Sequence, residues 1–147
     1  MAIGTVECNL QGFIDEVLEV LRGLFDNAYI PDNPDIAPGI FPYITVYMSN
    51  GISKIGPATV LTNLDDPTIA VMVPLDDYAK AVNFLLPYRE QIPVALYNWF
   101  YIDSQSAHAQ HIGEEMAVTL GPIDWSGMAM FGYLITLNTV KIQNEVS

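Results

Sequence analysis

The chain reads as an α+β domain: a mostly antiparallel sheet with two helices packed on one face and a long C-terminal strand. Three observations predict this. Apolar residues recur at helical spacing over 10–25 and again over 78–88. Several other stretches, among them 43–49, 68–73 and 128–140, alternate at period two and are rich in β-branched and aromatic residues. Strands follow one another through turn residues more often than they alternate with helices, so hairpins outweigh crossover units. At 147 residues the chain makes one domain, 1–147, long enough to bury a core without disulfides or metal.

In the first helix, Leu10, Phe13, Ile14, Val17, Leu18, Leu21, Leu24 and Phe25 share one face. Asp15, Glu16, Glu19 and Arg22 fall outside that stripe as an ordinary solvated back, and Asn9 stands where an N-cap belongs. Residues 27–42 (NAYIPDNPDIAPGIFP) then carry four prolines, which fix φ and remove donors, so this is an extended loop. A connection this long in a compact domain is usually functional or touches a partner. Over 43–49, Tyr43, Thr45 and Tyr47 face one way and Ile44, Val46 and Met48 the other. Asn50-Gly51 is a strong hairpin signal, which puts the partner strand over 52–61, shortened or bulged by Gly56-Pro57.

The strand over 68–73 is expected after a turn at Asp65-Asp66-Pro67 and ends at Pro74. Asp76 or Asp77 then caps a second helix whose apolar positions are Tyr78, Ala81, Val82, Leu85, Leu86 and Tyr88. It should run to Arg89 or Gln91, ended or kinked by Pro87. Residues 93–102 (PVALYNWFYI) suit a buried strand and a short helix equally. Residues 104–113 are polar with a weak helical look, and a short strand over 115–120 leads through the turn-rich GPIDWSG into the last strand. There Ala129, Phe131, Tyr133, Ile135, Leu137 and Thr139 form the buried face, while Met130, Gly132, Leu134, Thr136 and Asn138 grow more polar towards the end. From Met128 to Lys141 it would extend roughly 43 Å at about 3.3 Å per residue. A domain of this size has a radius of gyration of only about 15 Å. Either the strand bends at Gly132 or its end projects to meet something else.

Hydrophobic residues make up 51% of the chain and charged ones only 15%, with 17 acidic against five basic, for a net charge of −12. So apolar and one-signed a surface implies that part of it is covered by partners. The five cations (Arg22, Lys54, Lys80, Arg89, Lys141) are scattered singly, which argues against a surface that tracks nucleic-acid phosphates. One cysteine, Cys8, excludes an internal disulfide or thiolate cluster, and ahead of a helix it reads as packed rather than nucleophilic. The first ten residues lack the basic and apolar regions of a secretory signal, and no apolar run reaches membrane-spanning length, so a soluble chain is expected. No repeat or low-complexity linker is present.

The one arrangement with metal-ligand residue types is His108-x-x-His111-x-x-Glu114-Glu115. On a helix, residues three apart would bring two imidazoles and a carboxylate together. The spacing is not that of zinc peptidases, however, and Gly113 interrupts it, so a polar loop is the plainer reading. No glycine-rich phosphate loop and no G-x-S-x-G elbow occurs. Acidic pairs at 15/16, 65/66, 76/77 and 114/115 read as caps and turns. The aromatics Tyr97, Trp99, Phe100 and Tyr101 would suit a stacking platform, but without positive charge they read as core or interface packing.

The order of elements resembles the tail terminator, or tail completion, proteins of long-tailed bacteriophages and their relatives in the head–tail neck. An amphipathic helix and a loop precede a strand opening Phe41-Pro42-Tyr43-Ile44-Thr45-Val46-Tyr47. A strand over 69–74 passes through proline into a helix from Asp76, and Asp124-Trp125-Ser126-Gly127 precedes the final strand over 131–137. The aromatic stretch 95–102 and the His-containing loop depart from that pattern. The resemblance implies a virion protein made in the host cytoplasm: a ring, usually a hexamer, at the head-proximal end of the tail. Such a ring ends tube growth and joins the tail tube protein to the head connector, while DNA passes through its lumen without specific binding. It implies no enzyme activity, no catalytic residues, no cofactor, no metal and no membrane. The candidate interface residues are Phe41, Pro42, Trp99, Phe100, Tyr101, Trp125 and Tyr133. Two other readings stay open: a small-ligand or protein-binding adaptor module, and a metal-dependent enzyme using His108, His111 and Glu114.

Overall fold

Hydrogen bonding joins the alternating stretches into one five-stranded antiparallel sheet, and both helices pack on the same face of it. The computed structural model describes residues 9–25, 28–32, 34, 42–55, 60–74, 78–103, 106–113 and 115–145. The elements are α1 (Asn9–Leu24), β1 (Tyr43–Ile55), β2 (Val60–Pro74), α2 (Tyr78–Tyr97), a π-helical turn (Asn98–Ile102), β3 (Glu115–Trp125), β4 (Met128–Asn138) and β5 (Val140–Glu145). The strand order is β1-β2-β4-β3, with β5 pairing the first half of β2 on the same side as β4. The α+β architecture is as the sequence predicts. Cys8, Phe41, Asp76, Asp77 and Glu114, and most of the proline-rich loop, lie outside the described residues.

The helix side carries the main core. Phe13, Val17, Leu18 and Leu21 of α1 and Ala81, Leu85, Ile92 and Leu96 of α2 cluster with Ile44, Val46, Ile69, Val71, Phe131, Tyr133, Ile135 and Leu137 of the sheet. These are the odd positions of β4 from Phe131 onward, as expected, but Ala129 is exposed and Met130, expected on the more polar face, is buried because the second cluster covers it. A second cluster of Tyr43, Ala70, Met72 and Met130 forms on the other face, with Tyr29, Tyr47, Trp125 and Leu134 packed against it. Residues 130–133 of β4 are therefore enclosed on both sides.

Four local expectations need correction. The Asn50-Gly51 hairpin is absent: β1 continues through it to Ile55, and the connection to β2 falls in 56–59. The Asp65 carboxylate lies over Gly51, in the space that a Cβ there would share with it. Nor is there a turn at Asp65-Asp66-Pro67, for β2 runs straight through to Pro74. Helix α2 passes both Pro87 and Pro93, and 93–102 is helical throughout, closing in a π turn where Asp103 N–H donates to Asn98 O at 2.9 Å. Asn83 and Arg89, whose carbonyls lose their helical donors to these prolines, are both exposed, so water can satisfy them. Finally, β3 extends through Gly121 and Pro122 to Trp125, so the turn is only Ser126-Gly127, both at positive φ as a tight two-residue hairpin requires.

The long C-terminal strand breaks at Thr139, not at Gly132. Thr68 pairs with Thr136 and Asp65 with Val140, so three steps along β2 match four along the β4–β5 strand, and one residue is extra. A second extra residue sits on β1, where Met48 pairs with Pro67 and Asn50 with Asp66. Both neighbours of β2 therefore bulge at the level of Asp66-Pro67. Proline lacks an N–H and is tolerated in strands where the ladder is already interrupted, which is the case here. Gly132 lies in regular pairing and has no room for a Cβ against the Val71 carbonyl.

Candidate assembly interface

Beyond the two bulges the sheet narrows to a three-stranded arm: 50–55 of β1, 60–65 of β2 and all of β5. Asp66 fastens its root. Ser49 Oγ donates to the Asp66 carbonyl at 2.5 Å and Thr139 Oγ1 donates to the Asp66 carboxylate at 3.0 Å. Thr68 Oγ1 extends the network to Ser49 Oγ at 3.3 Å and Thr136 Oγ1 at 3.1 Å. Each bulged residue thus spends its hydroxyl on the same aspartate.

Cross-strand partners share a face, and alternate residues along a strand share it too. On the helix side of the arm, Val140 and Ile142 are buried. Asp65 lies in the same row, and burial, with the neighbouring Asp66 charge, pushes its carboxyl above the ordinary carboxylate value. The opposite side carries Asn50–Asp66, Ile52–Leu64–Lys141, Lys54–Thr62–Gln143 and, at the end, Val60–Glu145, so acidic positions flank the two lysines. Ile52 is 63% exposed, and Ile55 near the tip is 93% exposed. Two of the chain's five cations therefore stand on one face of the arm, and among the described residues neither Lys54 nor Lys141 has an ion-pair partner. An open hollow of about 340 Å³ lies beside Lys141, lined also by Leu64, His111, Gly113, Glu115, Asn138 and Thr139.

A second exposed apolar surface runs along the outside of α2 and the π turn through Phe84, Leu86, Val94, Tyr101 and Ile102. Of the candidate interface residues, Tyr101 belongs to it and is 41% exposed, and Trp99 is half-buried against Phe13. Trp125 is half-buried at the end of β3, its ring 5.8 Å from Tyr43 and 5.9 Å from Tyr47. Burial raises the Tyr47 hydroxyl pKa, so it is neutral at physiological pH. Pro42, Phe100 and Tyr133 are enclosed within this chain, which leaves Tyr101, Trp99 and Trp125 with accessible ring surface.

The histidines do not share a helix face, because 106–113 is not helical. This segment instead ties α1 to β5. Glu16 accepts from Ser106 Oγ at 3.0 Å and Ala107 N–H at 2.9 Å, and the His108 ring lies over Gly12 with Nδ1 3.0 Å from Asn9 Oδ1. Asn9 is thus the first helical residue and spends its side chain on His108. His111 turns to the Tyr101 hydroxyl at 3.0 Å, and its backbone carbonyl accepts from Lys141 N–H at 2.7 Å. Among the described residues no three His, Cys, Asp or Glu side chains are placed to hold a metal, and no helix is long and apolar enough to cross a membrane.

Sequence reasoning missed the Lys54/Lys141 face. Its signal was present only as register, since the two lysines come together through β2 and the bulges that offset their strands. No protein-family model matches this chain, and no curated protein matches its sequence.

Proposed function

We propose that this chain is a structural subunit of a bacteriophage virion. It forms a ring, usually a hexamer, at the head-proximal end of the tail, where it ends tube growth and joins the tail tube protein to the head connector. The observation that carries this reading is the arm, the three-stranded end of the sheet where Ile52 and Ile55 stand in solvent at 63% and 93% exposure. An exposed apolar strand end is a liability in a lone domain and an asset in an assembly. The exposed face of α2 supports the same reading, as does the element order that resembles tail terminators. A net charge of −12 suits a conduit whose wall repels passing DNA phosphates. The role is non-catalytic.

Native mass spectrometry over a range of concentrations tests the ring. A species at six times the 16.2 kDa subunit mass, or a reversible climb towards it, is expected. A chain that stays monomeric at every concentration and also fails to cap polymerised tail tubes overturns the reading.

A further inference from the structure

We infer that residues 106–111 form a displaceable guard over the outer edge of β5, one that opens as a unit ahead of the rest of the fold. The inference stands apart from the ring reading. Its first support is that Gln110-His111 imitates a strand. β5 pairs with β2 along its inner edge, and among the described residues no strand borders its outer one. There Gln110 N–H donates to the Lys141 carbonyl at 2.9 Å, Lys141 N–H donates to the His111 carbonyl at 2.7 Å, and Gln143 N–H donates to Gln110 Oε1 at 2.8 Å. Two residues thus meet three groups that a neighbouring strand would bond, through a single bridge and one side chain. An open edge is a template for pairing with another chain, and a loop that covers it removes that template.

The second support is how the guard is held. No residue from Ser106 to His111 is buried, and Ala109 and the His108 ring, both half-buried, are its footholds against the core and Gly12. Its bonds to Glu16, Asn9 and the Tyr101 hydroxyl are polar and lie where water can replace them. Release therefore costs hydrogen bonds near the surface and little apolar burial, the mark of a segment that opens by itself.

The third support is a sharp boundary. Burial resumes at once after the guard, with Ile112 at 1% exposure and Gly113. Gly113 has a φ of +95°, a conformation that glycine adopts freely, and its carbonyl accepts from the Tyr97 hydroxyl at 3.0 Å. The chain is thus pinned directly after His111, so the guard can leave β5 without drawing β3 along. Released, it leaves the Lys141 and Gln143 backbone groups as a ladder for an incoming strand, and so decides when the outer edge of the arm can pair.

Native-state hydrogen exchange, followed at single amides by nuclear magnetic resonance, tests the opening. In the wild type the Ala107, Gln110, Lys141 and Gln143 amides should exchange through one common opening that depends little on urea. Amides of the central strands, such as those of Val71 and Ile135, should exchange more slowly and with a steep urea dependence. Glu16→Ala, at a residue that bonds neither Lys141 nor Gln143, should speed exchange at both about tenfold. Lys141 and Gln143 amides that exchange only together with the central strands, or a Glu16→Ala change that speeds Ala107 alone, overturn the proposal. The guarding role is read from native masses of the wild type and of Glu16→Ala/Gln110→Ala, shown to be folded by circular dichroism. The variant should associate at about tenfold lower concentration than the wild type, and association unchanged from the wild type overturns the guard. Either failure leaves the ring reading standing, since the wild-type masses alone test that.

Discussion

Replacing Gly132 with alanine should unpick the sheet from its centre. A Cβ at this position would overlap the Val71 carbonyl oxygen and stand 2.8 Å from Val71 C and 3.0 Å from Met72 Cα. These are backbone atoms of β2, so no side chain can swing away. Relief requires parting β2 from β4 in the middle of the ladder that runs from Thr68↔Thr136 to Pro74↔Met130. Overpacking of this kind costs about 1–3 kcal/mol. Weakening two ladder hydrogen bonds adds about 0.5–1.5 kcal/mol each. A loss near 4 kcal/mol is a large share of the roughly 5–15 kcal/mol that holds a domain together. With a urea dependence of about 2 kcal/mol per molar, the unfolding midpoint should fall by about 2 M. Gly121 is the control. It pairs directly with Gly132, yet nothing lies within 4 Å of where its Cβ would be. Gly121→Ala should be neutral or stabilise by about 0.5 kcal/mol. If Gly132→Ala unfolds within about 0.5 kcal/mol of wild type, the close approach of β2 to β4 is wrong.

Three further outcomes follow from named contacts. Arg22→Met removes bonds to Ile30 O at 3.0 Å, Glu19 at 2.6 Å and Asp32 at 2.7 Å, and should cost about 1–2 kcal/mol in urea unfolding. It should also speed amide exchange at Ile44, whose N–H donates to Tyr29 O beside the segment Arg22 holds; unchanged exchange there would refute the clamp. Gly12→Ala should cost about 1–2 kcal/mol by driving a Cβ into the His108 ring at 2.6 Å. The added change His108→Ala should recover that loss, since alanine favours a helix by about 1 kcal/mol over glycine; a pair that simply adds would show that the ring is not the obstacle. The Asp65 carboxyl is held above its ordinary 3.8 by burial and by Asp66. The folded chain therefore binds the extra proton first, and stability falls as pH rises from 3.8 through the folded value. Asp65→Asn should raise the melting temperature at pH 7 and change it little at pH 3, and an equal shift at both would contradict this.

The parts of the fold legible in sequence are those in which local pattern and tertiary demand coincide. In α1 every third or fourth residue is apolar and the outer face is charged, so periodicity alone places it. The last strand is legible because its odd positions from Phe131 to Leu137 are large and apolar. Helix α2 beyond Pro87 was hidden because two prolines and apolar residues on several sides obscure the stripe Ala81–Leu85–Ile92–Leu96, which only packing against the sheet selects. Asn50-Gly51 shows the opposite failure. Its local turn preference is real, but pairing with β2 along twelve positions outweighs it. The histidine stretch was legible as a polar loop, but not its role as a clasp, since nothing local shows that Glu16 and Asn9 would hold it. The lysine face was illegible because register, not sequence distance, brings Lys54 and Lys141 together.

The paired bulges at Ser49 and Thr139 also bear on how such an assembly would change size. Removing either residue would leave every cross-strand pair, and so every face, as it is, while flattening the sheet at that level. The pitch of the arm relative to the body thus depends on these two extra residues and on the aspartate that both of them bond. In a ring built through the arm, that pitch is the angle each subunit turns before meeting the next. A one-residue deletion at either bulge would therefore shift the curvature of such a ring, and with it the bore, without touching the hydrophobic core.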